Sequence, residues 1–512
     1  MFNDQAFKLT SEKKLYQLII SRLDGYNIHS QAYKEKIFQL VEKGIGGFII
    51  FGGRRDEIKD FIKKIQSISE IPLFIASDVE RGVGQQIQDT TLFPCQMAIT
   101  AAVDKDRAED VGILENALKA IAEESIDVGI NMPLIPVLDV NQNPDNPIIC
   151  TRAFSDNPED VAWFGLRYIR ELEDSGLISC AKHFPGHGDT AIDSHISLPV
   201  ITKSFDELLK VDIMPFIEAI ETGVRSIMVG HLSIPAIDSR PASLSKRIIT
   251  DLLREKLGFH GLILTDALNM KALKGFEHVS TECIKAGVDI LLHPLDADVT
   301  VKELTVAVEE MMISEEDIDV AVRRILKTKV RIPNAEGREV DYKSHEILSS
   351  QITDKSVTLL KNTAGLPIAD ESKVTVILTG ENTFFESSPL KTFFKNVSTI
   401  PFPQGEEVRE RVENVFLERI VIFAIFTSIA AWKGTSGIDD MERKRISELI
   451  KGGKTSIIIS FGCPYVLRYF KEADVLIAAY EATEQAQKAA VKCLTGEVDF
   501  KGRLPVTLNF LE

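Results

Sequence analysis

The chain has no CxxC pair, no low-complexity tract and no short-period repeat. No uncharged apolar run reaches the roughly 18 residues that a membrane helix needs. The six cysteines, Cys95, Cys150, Cys180, Cys283, Cys463 and Cys493, are scattered over 512 residues. That spacing excludes a disulfide framework and fits reduced, buried thiols. The opening residues MFNDQAFKLTSEKK hold no apolar stretch of the kind that directs secretion, so the expected compartment is the cytoplasm. Positive charge is in deficit: 59 Lys and Arg stand against 76 Asp and Glu, a net charge of −17. Such a surface repels a phosphate backbone and an anionic membrane alike, so neither nucleic acid nor a membrane is an expected partner. Two nucleotide-like signals are incomplete. Gly453-Lys454-Thr455 has Glu448 where a P-loop needs its first glycine, and Gly82-Val83-Gly84 has Ile87 where a dinucleotide fingerprint needs its third.

What is present is an ordinary globular composition, 44% hydrophobic and 26% charged, in a chain long enough for one large and one smaller domain. The first two-thirds alternate short apolar runs with amphipathic stretches. The runs are Gly47–Phe51, Leu73–Ser77, Met132–Leu138, Leu177–Ala181, Ser226–Gly230, Leu262–Thr265 and Val288–Leu292. Near-continuous apolar runs suit strands buried on both faces. Helical patterns fall between them at Lys34–Lys43, Arg55–Ser67, Pro158–Ser175, Phe205–Thr222 and Ser245–Leu257. Polar residues follow the runs repeatedly: Asp78, Asp139, Lys182 with His183, His231 and Asp266. Chemistry spread over many strand ends favours a (β/α)8 barrel over a doubly wound sheet, which gathers it at one switch point. The expected fold is therefore α/β: an N-terminal TIM-like barrel at 1–331, a polar linker and connecting helix at 332–365, and a smaller C-terminal α/β sandwich at 366–512. The connecting helix is expected near Ser344–Asn362. The last strands of the sandwich are expected at Ser456–Ser460, Val475–Ala479 and Val506–Asn509.

The densest segment for chemistry is Lys182–His195, KHFPGHGDTAIDSH, which holds three of the nine histidines. Pro185, Gly186 and Gly188 prevent a regular helix, so it is a structured loop at the barrel mouth. Two readings of it stay open. His183, His187, Asp189 and His195 could bind a metal, although Pro-Gly interrupts the first pair. Alternatively, Asp193 and His195, two apart on one side of an extended segment, form an acid/base pair in which the carboxylate orients the imidazole. Asp266, at the end of a buried run in GFHGLILTDALNM, is either a nucleophile or base, or the N-cap of a helix starting at Ala267.

Together these segments resemble glycoside hydrolase family 3, in its β-N-acetylglucosaminidase branch. Further matches are Asp78-Val79-Glu80, NPIICTRAF at Asn146–Phe154, His231 with PASLS at Pro241–Ser245, SVTLLKN at Ser356–Asn362 and GRLPVTL at Gly502–Leu508. The resemblance implies a retaining exo-β-glycosidase acting on a small carbohydrate, with no cofactor and no metal. It assigns Asp266 as nucleophile, His195 as general acid and then base, and Asp193 as its orienting partner. It also implies sugar binding by Asp78, Arg152, Lys182, His183 and His231. One position departs from the branch: Gln86 stands where an Arg is common, eight residues after Asp78, which leaves N-acetylglucosaminide and glucoside both open. A phosphorylase using the same His–Asp pair, a metal-dependent barrel hydrolase and a non-catalytic sugar-binding protein also stay open.

Overall fold

The computed structural model describes residues 9–332, 339–369, 371–393, 397–401, 420–450 and 455–509. It forms two compact units. The first comprises Met1–Phe93, Glu115–Val140 and Asn157–Glu346, and the second Pro94–Leu114, Asn141–Asp156 and Ile347–Glu512. Residues 333–338 of the expected linker lie outside the described residues.

In the first unit, eight short strands run parallel: β1 Ile19–Asp24, β2 Gly47–Phe51, β3 Phe74–Ser77, β4 Met132–Pro133, β5 Cys180–Phe184, β6 Ser226–Val229, β7 Leu262–Thr265 and β8 Leu291–Leu292. β8 pairs with β1, and the ladder continues through β2 and β3 to β4. β5, β6 and β7 form a second parallel group. Two single bridges join the groups, Val137 to Lys182 and Leu264 to Ile290. The curled sheet therefore closes into the expected TIM-like barrel, whose strands are buried on both faces. The run Met132–Leu138 is strand only over its first two residues, because its prolines remove ladder donors. β1 gave no apolar run in the sequence, since Ser21 and Arg22 interrupt it.

Helices of 12, 14 and 17 residues, Gln31–Glu42, Arg55–Ile68 and Pro158–Asp174, fall close to their expected bounds. Each buries a stripe of Ile, Leu, Val or Phe. The single helix expected over Phe205–Thr222 is two, Phe205–Lys210 and Met214–Thr222. A lysine closes the N-terminal end of the barrel. Lys329, at the end of helix Glu315–Lys329, is buried, and its Nζ donates to Gln17 Oε1 at 2.9 Å and to the Gly46 carbonyl at 2.7 Å. Those acceptors precede β1 and β2. Burial pushes the ammonium well below its ordinary value.

In the second unit, a six-stranded sheet is built from β9 Thr358–Asn362, β10 Val374–Gly380, β11 Val397–Pro401, β12 Ile420–Phe426, β13 Thr455–Phe461 and β14 Val475–Ala478. The spatial order is β9-β14-β13-β12-β10-β11, with β9 antiparallel and the rest parallel. Alternate residues of β12 face opposite cores: Val421, Phe423 and Ile425 one, and Ile422, Ala424 and Phe426 the other. The connecting helix ends earlier than expected, at Ser356. The segment after it, Thr358–Asn362, is strand β9, and Val506–Asn509 forms no strand. One of the two cores also takes Cys95, Met97, Ala98, Ala101 and Cys150, from the discontinuous pieces of this unit.

A chain cut after Glu346 removes the partners of Met97, Ala98 and Cys150. We expect it to lose its sharp thermal transition and to bind a hydrophobic dye, since each large apolar group uncovered costs about 1.5–3 kcal/mol. A cut chain that melts as cooperatively as the full one contradicts this packing.

Candidate active site

Eight parallel strands bring their C-terminal ends to one rim, and the charged and imidazole side chains collect there. Asp78 follows β3, Lys182 and His183 lie in β5, His231 follows β6, Asp266 follows β7 and His293 follows β8. Lys182 is buried, and its Nζ stands 2.6 Å from Asp78 Oδ1 and 2.8 Å from Glu80 Oε1. An ammonium this deep requires such partners.

Asp139 organises the loop that follows β5. Its Oδ2 accepts from His183 Nδ1 at 2.7 Å, and its Oδ1 accepts the backbone N–H groups of His183 and His187 at 3.2 and 2.6 Å. Asp139 is buried, which opposes charge, yet His183 and His187 more than offset this and hold its carboxyl below the ordinary range. His187 pairs through Nδ1 with Thr190 Oγ1 at 2.9 Å and through Nε2 with Ser194 Oγ at 3.1 Å. Burial lowers its pKa to about 4, so it is neutral. The loop turns at Gly186, whose φ is +127°. A Cβ there would stand 2.7 Å from Asp212 Cβ, a spacing only glycine avoids.

Asp193 and His195 meet as the sequence suggests, but in a turn rather than an extended segment. Asp193 Oδ1 accepts from His195 Nδ1 at 2.9 Å and from its backbone N–H at 2.8 Å. The Asp193 carbonyl accepts from Ile196 at 2.9 Å. A carboxylate bonding the N–H two residues on is an Asx turn, which explains the bend. Because the carboxylate only accepts, Nδ1 carries a proton, and the transferable proton of the imidazolium belongs to Nε2. The His195 carbonyl accepts from Lys271 N–H at 3.3 Å, which docks the loop on the segment after Asp266.

Asp266 is half-buried. No helix starts at Ala267, so the N-cap reading fails: the segment turns at Ala267–Met270 and then forms one short turn of helix, Lys271–Leu273. Asp266 Oδ1 accepts only the adjacent Ala267 N–H, at 2.7 Å, among the bonds seen at this side chain. Burial opposes its charge, but His183, His231 and His195 around it and the Ala267 N–H bring it down to about 2. His231 donates through Nε2 to the Ala267 carbonyl at 3.3 Å and accepts at Nδ1 from Ser243 at 2.8 Å. Burial lowers its pKa, in keeping with a neutral ring.

The four residues of the metal reading are drawn to different partners: His183 to Asp139, His187 to Thr190 and Ser194, His195 to Asp193, and Asp189 to Lys203. Arg152 lies in the second unit, in the short turn Cys150–Arg152, with Nη1 donating to the Ile148 carbonyl at 2.9 Å. Sequence reasoning gave no role to Asp139, Glu80 or His293. Asp139 and His293 each sit directly beyond an apolar run, and that position is the signal that marks them.

The family model for the glycosyl hydrolase family 3 N terminal domain matches residues 10–328. The chain belongs to glycosyl hydrolase family 3. It is thus a glycoside hydrolase of that family. It is 29% identical to beta-hexosaminidase A of Pseudoalteromonas piscicida over 91% of this chain and 89% of that one. It is also 29% identical to a beta-N-acetylglucosaminidase/beta-glucosidase of Cellulomonas fimi, over 64% of this chain and 61% of that one. A solved family 3 beta-N-acetylglucosaminidase from Paenibacillus sp. str. FPU-7 superposes with a TM-score of 0.83 at 29% identity, covering 98% of this chain and 99% of that one. Among the described residues of this family 3 enzyme, no helix is long and apolar enough to cross a membrane.

Asp139 yields a test. Its folded-state pKa is depressed, so its contribution is present above the unfolded value of ~3.9 and is lost as pH falls through the folded value. Asp139→Asn should cost about 2 kcal/mol at pH 7, as expected when a buried acceptor holding three hydrogen bonds is impaired. The gap to wild type should close in acid. Urea unfolding of both proteins at pH 7 and near pH 3 measures it, and a gap that does not change with pH contradicts the assignment.

Proposed function

We propose that this family 3 enzyme is a retaining exo-β-glycosidase that removes a terminal β-linked N-acetylglucosamine through a covalent glycosyl-aspartate. The observation that carries the reading is the Asp193–His195 pair, on a loop bonded to the segment that follows an ionised Asp266.

Asp266 attacks the anomeric carbon as the glycosidic C–O bond breaks, and the proton on His195 Nε2 passes to the departing oxygen. A water then gives a proton back to Nε2, attacks the same carbon and releases Asp266. His195 leaves no negative charge beside the leaving group once its proton is gone, unlike the carboxylate acid of the usual two-carboxylate arrangement. Asp193 fixes the orientation and tautomer of the imidazole. Asp78, Lys182, His183 and His231 bind sugar hydroxyls. For Arg152, a sugar-binding role rests on the family motif alone. N-acetylglucosamine is favoured by the activities after which the Pseudoalteromonas and Paenibacillus relatives are named. Gln86, in place of a common Arg, favours glucosides as the second reading. Aryl β-glycosides of both sugars, assayed with and without phosphate, separate hydrolysis of each from phosphorolysis.

The acid role is tested by leaving-group dependence. His195→Ala should lower kcat/KM by about 10²–10⁴-fold for poor leaving groups, the usual worth of a general acid. Dinitrophenyl glycosides should be spared at the glycosylation step. Asp193→Ala should follow the same trend. An equal fractional loss for every leaving group removes His195 from the acid role.

A further inference from the structure

Lys203 lies beyond the motif that carries the catalytic pair, yet it contacts that loop. Its Nζ is 3.3 Å from Asp189 Oδ2 and 3.1 and 2.8 Å from the two oxygens of Asp212. Asp189 belongs to the loop, between His187 and Asp193. Asp212 is fully buried and lies against Gly186, where the loop begins to turn. One ammonium thus joins the middle of the loop to a fixed carboxylate beneath it.

We propose that Lys203 is a positioning residue that clasps the His195 loop, through Asp189, to the buried Asp212. The inference rests on the acid role proposed for His195. The loop is anchored at its start by Asp139, through the N–H groups of His183 and His187. It is anchored at its end by Ser233, which donates to Pro199 at 2.8 Å and accepts from Ile201 at 2.9 Å. Between these anchors the chain exposes Ile192 and Ile196, each at 44%, so little apolar packing holds the stretch that carries Asp193 and His195. The Asp189–Lys203 contact falls inside that stretch. Its direction is set by desolvation. A carboxylate as deep as Asp212 must be paired, so Lys203 is turned inward. Of its three donors, it shares its charge with Asp189. Burial raises Asp212 to about 6 against the pull of Lys203, and Asp189 and Asp139 push in the same direction as burial. Lys203 therefore offsets the mutual repulsion of carboxylates gathered under the loop.

The test compares Asp189→Asn, Lys203→Met and Lys203→Arg with wild type and His195→Ala. The substrates are aryl β-glycosides of poor and good leaving group. Asp189→Asn leaves Asp212 paired, so it reads the clasp even if Lys203→Met does not fold. We expect Asp189→Asn and Lys203→Met to lower kcat/KM on poor leaving groups by about ten- to a hundredfold, the scale of a misplaced catalytic group. Dinitrophenyl glycosides should change little, and Lys203→Arg should restore most of the loss. If His195→Ala shows leaving-group dependence and Asp189→Asn does not, the clasp is wrong and the acid assignment stands. If His195→Ala shows none, both fall.

Discussion

The buried carboxylate of Asp139 is the constraint on which the mouth of the barrel depends. It accepts one side-chain and two backbone hydrogen bonds from His183 and His187. It thereby converts the end of β5 from a strand into the start of a specific loop. Three bonds to one buried anion form a unit in which each partner satisfies the others, and removing any one leaves charge stranded in low dielectric. Everything after it in the loop depends on that start: the Gly186 turn against Asp212, the His187–Ser194 contact and the Asx turn that brings His195 onto Asp193.

The same rim separates two titratable groups by environment. Asp266 sits among imidazoles and is held at about 2, so it is an anion at neutral pH. His195 is held through Nδ1 by the Asp193 carboxylate, which leaves Nε2 as the nitrogen able to exchange a proton. An ionised Asp266 beside an imidazole with a free-to-exchange Nε2 is the arrangement that the proposed glycoside cleavage would use. His187 is neutral because burial lowers it to about 4, and burial lowers His231 as well.

Much of the fold was legible because barrel strands buried on both faces print as apolar runs; seven of the eight strands overlap such a run, β5 by only two residues because the strand runs on through Lys182 and His183 to Phe184. β1 was not legible: Arg22 in its middle breaks the run, and its guanidinium lies over the Phe51 ring at 4.7 Å. Chain pieces that join the second unit, Pro94–Leu114 and Asn141–Asp156, were also hidden. Linear order says nothing about which core a short apolar segment such as Met97–Ala101 enters. At the site, residue type singled out Asp266, Lys182, His183 and the Asp193–His195 pair; Asp266 does follow a strand, whereas Lys182 and His183, expected after one, lie inside β5. The roles of Asp139, Glu80, Lys203 and Asp212 were not readable, because a carboxylate or ammonium becomes informative only once its partner, 44 residues away for Asp139 and His183, is known.

The central claim is a covalent bond to Asp266. Incubation with a 2-deoxy-2-fluoro glycosyl fluoride, followed by intact-mass and peptide mass spectrometry, measures it directly. The account predicts one added fluoro-sugar per chain, on the peptide containing Asp266, and no adduct in Asp266→Ala. Labelling of another carboxylate, or turnover of a β-glycoside with inversion and no adduct, would contradict it.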